Sequence, residues 1–128
     1  MNKRIILTAA FFGAWAVILG AFGAHGLEGK ISARSVENWH TAVNYQMYHT
    51  LALLFLSTFS RARISIINGA YIAFVLGIVF FSGSLYLLST RTLTGIGFAH
   101  ILGPITPLGG VSFIVGWICL FFAALRNK

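Results

Sequence analysis

Side chains able to do chemistry are few in this chain: four histidines (His25, His40, His49, His100), two acids (Glu28, Glu37), one cysteine (Cys119) and the polar cluster Tyr45, Gln46 and His49. Several imidazoles near one membrane face could ligate a metal or haem, or relay protons. The spacing argues against the first two, because no two histidines stand at i and i+4 and there is no cysteine-rich pattern. No metal ligand and no cofactor are therefore expected. Acid–base work by a carboxylate pair would need Glu28 and Glu37 to converge. Glu37, two residues after a plausible N-cap at Ser35, is more simply explained by the helix dipole. Ser82-Gly83-Ser84 has no strand-turn-helix context for a hydrolase elbow, and no glycine-rich phosphate loop with its lysine occurs. No catalytic residue is assigned, and the chain reads as a non-enzyme.

On a helical wheel Tyr45, Gln46 and His49 share an arc of about 100°, with Asn38, Ala42 and Ala52 on or near it, whereas His40 points about 180° away from His49. An ionisable side chain about seven positions inside a membrane span is costly and marks His49 as the leading binding candidate. As a neutral ring beside Gln46 and Tyr45, it could equally join helices through hydrogen bonds worth around 0.6–2 kcal/mol.

The elements that carry these residues must lie in lipid. Of 128 residues, 58% are apolar and only 9% charged, and so few charges cannot cover the surface of a small soluble domain. Four apolar runs can be drawn: Ile5–Ala24, Ala42–Ser60, Ile66–Leu88 and Pro107–Leu125. At about 20 residues per span, four helices leave room for short connections but not for a second domain. The first run is too long for a signal-peptide core of about 7–15 residues and reads as a retained span. Thr106 as N-cap with Pro107 at the first helical position predicts that the last helix starts there, leaving Phe98–Gly103 as a separate turn or half-helix. The expected fold is an all-α, four-helix membrane bundle in one domain, with outer loops over residues 25–41 and 89–106.

The net charge is +7, but the basic residues stand singly or in pairs at the ends of apolar runs, which suits membrane anchoring rather than nucleic acid. With four spans, Lys3, Arg4, Arg61, Arg63, Arg126 and Lys128 fall on one side and Lys30, Arg34 and Arg91 on the other. Both termini should then be cytoplasmic. Small residues recur every three or four positions as Ala9, Gly13, Ala16, Gly20 and Gly23; as Gly69, Ala73, Gly77 and Ser84; and as Gly109, Ser112, Gly116, Cys119 and Ala123. Such flat faces let membrane helices approach closely, within one chain or between copies.

Four ordered motifs carry a resemblance over nearly the full length: Gly20-Ala21-Phe22-Gly23-Ala24-His25-Gly26-Leu27, Trp39 through His49, Phe81-Ser82-Gly83-Ser84-Leu85-Tyr86, and Thr106-Pro107-Leu108-Gly109-Gly110 with Gly116-Trp117. The chain resembles the DUF-423 family of small inner-membrane proteins, the YgdD/YwdK type, related to the transmembrane-protein-256-like proteins of eukaryotes. The resemblance implies a four-helix, multi-pass protein of the bacterial inner (plasma) membrane, with no activity to carry over. It places His25, Tyr45, Gln46, His49 and Ser84 where they could form a shared ligand site. The functional expectation is a protein in the lipid bilayer that binds other membrane proteins or forms a homo-oligomer, with no nucleic-acid partner. The alternative is small-ligand, ion or proton binding or transport at an outer-leaflet cluster around His49.

Overall fold

The computed structural model describes residues 1–59 and 64–126, and among these every regular element is helical. The expected end of the second run at Ser60, and the basic residues Arg61, Arg63 and Lys128, lie outside the described residues. In chain order the elements are α1 (Lys3–His25), α2 (Ala33–Leu56), α3 (Ile64–Gly77), a π-helical segment (Ile78–Ser82), α4 (Gly83–Ser89), the single turn α5 (Arg91–Thr94) and α6 (Ala99–Arg126). Three stretches are long and apolar enough to cross a membrane: Lys3–His25, Ile64–Ser89 and Ala99–Arg126. The 24 residues of α2 extend about 36 Å, but its first half is too polar to qualify on composition.

Side-chain caps set where the helices begin. Asn2 accepts from the backbone N–H of Ile5 at the start of α1, and Ser32 accepts from that of Ser35 at the start of α2. The cap of α2 is thus Ser32 rather than Ser35, and the helix starts about two and a half turns before the apolar run that drew attention to it. Gly95 adopts the left-handed conformation (φ 68°) that closes α5, a geometry glycine enters without steric cost.

The last helix overturns the expected start at Thr106. It begins at Ala99 and runs through both prolines, absorbing the segment Phe98–Gly103 that was expected to stand apart. Pro104 and Pro107 remove the N–H groups that would reach the carbonyls of His100 and Gly103. Leaving the helix would free more backbone groups than that in apolar surroundings. Gly103, just before Pro104, has no Cβ to meet the ring. Thr106 does not cap: its hydroxyl lies 3.3 Å from the Leu102 carbonyl and 2.6 Å from the Ser84 hydroxyl.

Neighbouring helices run antiparallel and meet along the small-residue stripes. Against α2, a Cβ on Gly13 would lie 3.4 Å from Thr50, one on Gly20 3.4 Å from Val43, and one on Gly23 2.5 Å from Trp39 Nε1. Trp39 in turn donates to the Leu19 carbonyl at 2.8 Å. Against α6, Gly77 faces the Phe113 ring, Gly116 faces the Phe74 ring, and Ser112 donates to the Ala73 carbonyl at 2.7 Å. Gly109 meets backbone: a Cβ there would sit 2.8 Å from Phe80 C and Phe81 Cα. The π turn, whose final bond runs from the Gly83 N–H to the Ile78 carbonyl, places that backbone against Gly109. All three stripes are therefore occupied within one chain.

This pairing brings both ends of the chain together. The Asn2 N–H donates to the Ser57 carbonyl, Arg4 reaches Asn68, and Arg126 lies beside Ile66. The core between the helix pairs includes Ile5, Ala9, Leu53, Leu56, Phe74, Ile78, Phe113 and Ala123. Val75, which faces outward on a simple wheel, packs half-buried against this core.

Candidate functional site

The helix pairing fixes the depth of the polar cluster. Gln46 bonds to Phe12 and Thr50 touches Gly13, so His49 is level with the midpoint of α1. Around it the five expected site residues divide into separate groups.

His49 is 5% exposed and has both ring nitrogens engaged. Trp117 donates its indole N–H to Nε2 at 3.0 Å, and Nδ1 lies 2.7 Å from the Tyr45 carbonyl. An indole nitrogen can only donate, so Nε2 accepts and the proton sits on Nδ1, directed at the carbonyl. The ring is a neutral imidazole that ties α2 to α6. Phe113 stacks on it with centroids 3.5 Å apart and planes 10° apart, while Phe74 and Trp117 close its edges. Using Nε2 for a metal would cost the Trp117 hydrogen bond.

Gln46, 3% exposed, faces another way. Its amide donates to the Phe12 carbonyl at 2.8 Å, and its oxygen accepts from the Tyr86 hydroxyl at 2.6 Å. It joins α1, α2 and α4, and the Thr50 hydroxyl donates to its backbone carbonyl at 2.7 Å. Ser84 belongs to a third group, bonded to Thr106 between α4 and α6. Next to it, Ser82 donates to the Ala42 carbonyl at 2.7 Å. His25 ends α1 exposed, and among the described residues it has no hydrogen bond to any of the others. It stands apart from the cluster because the α1–α2 connection lies at the end of the bundle, not because its helix turns away. His40 and His100 are exposed on separate elements, as are Glu28 and Glu37. Among the described residues no three His, Cys, Asp or Glu side chains converge.

Tyr45 opens onto a concavity. It stacks on Phe81 at 4.7 Å and lies 5.8 Å from Tyr48. Together Tyr45, Tyr48, His49, Phe113, Ile114 and Trp117 help line a lateral groove of about 710 Å³ between α2 and α6, with Pro107 and Gly110 at its far end. Tyr45 is 40% and Tyr48 56% exposed. Among the described residues neither hydroxyl has a hydrogen-bond partner. Among the described residues no Asp, Glu, Lys or Arg lines the groove.

Sequence reasoning did not name Trp117, Phe113, Tyr48 or Tyr86 among the site residues, although Trp117, Tyr48 and Tyr86 fall in the family-like motifs. A readable signal for Phe113 existed: Gly77 and Gly116 leave holes that large rings must fill, and Trp117 follows Phe113 by four residues on the same face.

A chain whose described regular elements are all helical, with three apolar helices long enough to cross a membrane among the described residues, is an integral membrane protein. A family model described as a protein of unknown function (DUF423) matches residues 19–110. The chain belongs to this family. It is 48% identical over 128 residues to the UPF0382 membrane protein YwdK of Bacillus subtilis, covering 97% of this chain and 98% of that one. It is 46% identical over 124 residues to a UPF0382 membrane protein of Staphylococcus haemolyticus and 48% identical over 124 to one of Staphylococcus aureus, with 97% of each chain covered. No solved structure matches.

Proposed function

We propose that this protein is a four-span protein of the bacterial inner membrane with cytoplasmic termini, which without catalysing a reaction holds a neutral lipophilic molecule in the groove between α2 and α6. As the fourth span, α2 runs level with α1 from Trp39 to Ser57 and turns Gln46, His49 and Thr50 inward, away from lipid, while Asn44, Tyr45 and Tyr48 stay exposed. The orientation is supported by the excess of Lys and Arg in the sequence at the end that carries both termini.

The observation that carries the functional reading is the pair of phenol hydroxyls, Tyr45 and Tyr48, unpartnered among the described residues, beside a groove level with the middle of α1. A hydroxyl removed from water without a partner costs about 1–3 kcal/mol on the protein mutational scale. An occupant with a carbonyl or ether oxygen would offset that cost. The absence of charged side chains in the lining favours a neutral molecule, and the aromatic walls favour one with a flat head. Association between copies has less support, since the small-residue stripes that would serve it pack inside the chain.

The test is purification in native-lipid particles, followed by extraction and mass spectrometry of wild type and Ile114→Trp, which fills the groove from its exposed wall. A neutral compound retained stoichiometrically by wild type and lost from the folded variant is expected. Identical extracts from both proteins would overturn the proposal.

A further inference from the structure

A second groove, of about 370 Å³, opens between α1 and α3 at the end of the bundle that carries both termini. Ile72, Val75 and Leu76 form its apolar wall, while Arg4, Asn68 and Tyr71 lie at its mouth. Arg4 Nη2 donates to Asn68 Oδ1 at 2.9 Å, its guanidinium lies 4.7 Å from the centre of the Tyr71 ring, and the Tyr71 hydroxyl is fixed 2.7 Å from that of Thr8. The cation is thus held in place by neutral groups. The only acids in the chain are Glu28 and Glu37, beyond the far end of α1, about 30 Å or more away by helix rise. That distance exceeds several screening lengths. Among the described residues Arg4 therefore has an oriented charge without a counter-ion, beside an apolar trough and in the first turn of a membrane-length helix.

We propose that this groove binds an anionic phospholipid, with the phosphate on Arg4 and an acyl chain along Ile72, Val75 and Leu76. Asn68 engages one of the five guanidinium N–H donors, leaving enough for a forked hydrogen-bond pair to phosphate oxygens. Charge complementarity selects the headgroup, and the trough selects a lipid over a free anion. The site is independent of the groove at His49, lying between a different pair of helices near the bundle end.

Native mass spectrometry of the delipidated full chain, titrated with phosphatidylglycerol, phosphatidylcholine or inorganic phosphate, tests this. Wild type should hold one phosphatidylglycerol at least about tenfold more tightly than phosphatidylcholine. Arg4→Gln should erase that preference. Ile72→Trp, which blocks the trough while leaving Arg4 charged, should weaken both lipids. Arg126→Gln, a basic residue outside this groove, should stay within about twofold of wild type. Equal binding of the two lipids, an Arg4→Gln variant indistinguishable from wild type, or an equal loss in Arg126→Gln would overturn the proposal. Displacement of phosphatidylglycerol by millimolar inorganic phosphate would likewise overturn it, by showing a free-anion site.

Discussion

Replacing Gly109 by alanine tests whether α6 is set directly against the π-helical segment. The new Cβ would lie 2.8 Å from Phe80 C and Phe81 Cα, and closer still to the Phe81 nitrogen. These are backbone atoms within a hydrogen-bonded helix, so no rotamer change relieves the clash and the two helices must separate. Overpacking of this kind costs about 1–3 kcal/mol, and the upper part of that range is expected here. Gly110→Ala is the matched control, because its Cβ would meet only the Phe81 ring at 3.9 Å. Both substitutions gain roughly 0.8–1 kcal/mol of helix propensity. The neighbouring variants should therefore differ by about 2 kcal/mol or more after that common gain cancels. Reversible unfolding in mixed micelles, followed by far-UV circular dichroism, reads the difference. Equal stability of the two variants would refute the close backbone contact, and with it the role assigned to the π turn.

Leucine at Gly77 or Gly116 would meet the Phe113 or Phe74 ring and should lower the unfolding midpoint well below that of Val17→Leu, whose site is 64% exposed on α1. At His49, glutamine can still accept from Trp117 and should preserve the fold, whereas leucine strands the indole N–H and should cost about 1–2 kcal/mol. Adding Trp117→Phe to His49→Leu should recover part of that loss in a double-mutant cycle. Simple additivity would contradict the hydrogen bond. Reporter fusions after Lys128 and between Lys30 and Arg34 should give opposite signals, cytoplasmic for the first and external for the second; matching signals would refute an even number of spans.

Apolar run length and the recurrence of small residues made the helical fold and its packing faces legible in the sequence. Ala9, Ala16 and Gly23 are buried on α1, and Gly77, Gly109 and Gly116 are contact points on their helices. The start of α6 was not legible, because Pro107 after Thr106 reads as a helix start by local chemistry. Apolar surroundings reverse that preference by making an interrupted backbone more costly than two prolines. The π turn had no local signature to read; its backbone packs against Gly109, which is distant in sequence. At the candidate site, the wheel put Gln46 and His49, which are buried, on one arc with Tyr45 and Asn38, which are exposed, and could not say that Gln46 and His49 face different neighbours. That division depends on Tyr86 and Trp117, which reach α2 from distant parts of the chain.

The most direct test of the proposed function uses the indole resonances of the three tryptophans in 15N-tryptophan-labelled protein. Trp117 lines the groove at His49, Trp15 a separate groove beside Gln46, and Trp39 one near Leu27 and Leu93. Spectra would be recorded after delipidation and again after adding back the neutral fraction of a bacterial inner-membrane lipid extract. The Trp117 signal should shift saturably while those of Trp15 and Trp39 stay in place. An unmoved Trp117 signal, or equal shifts at all three tryptophans, would contradict binding in the groove between α2 and α6.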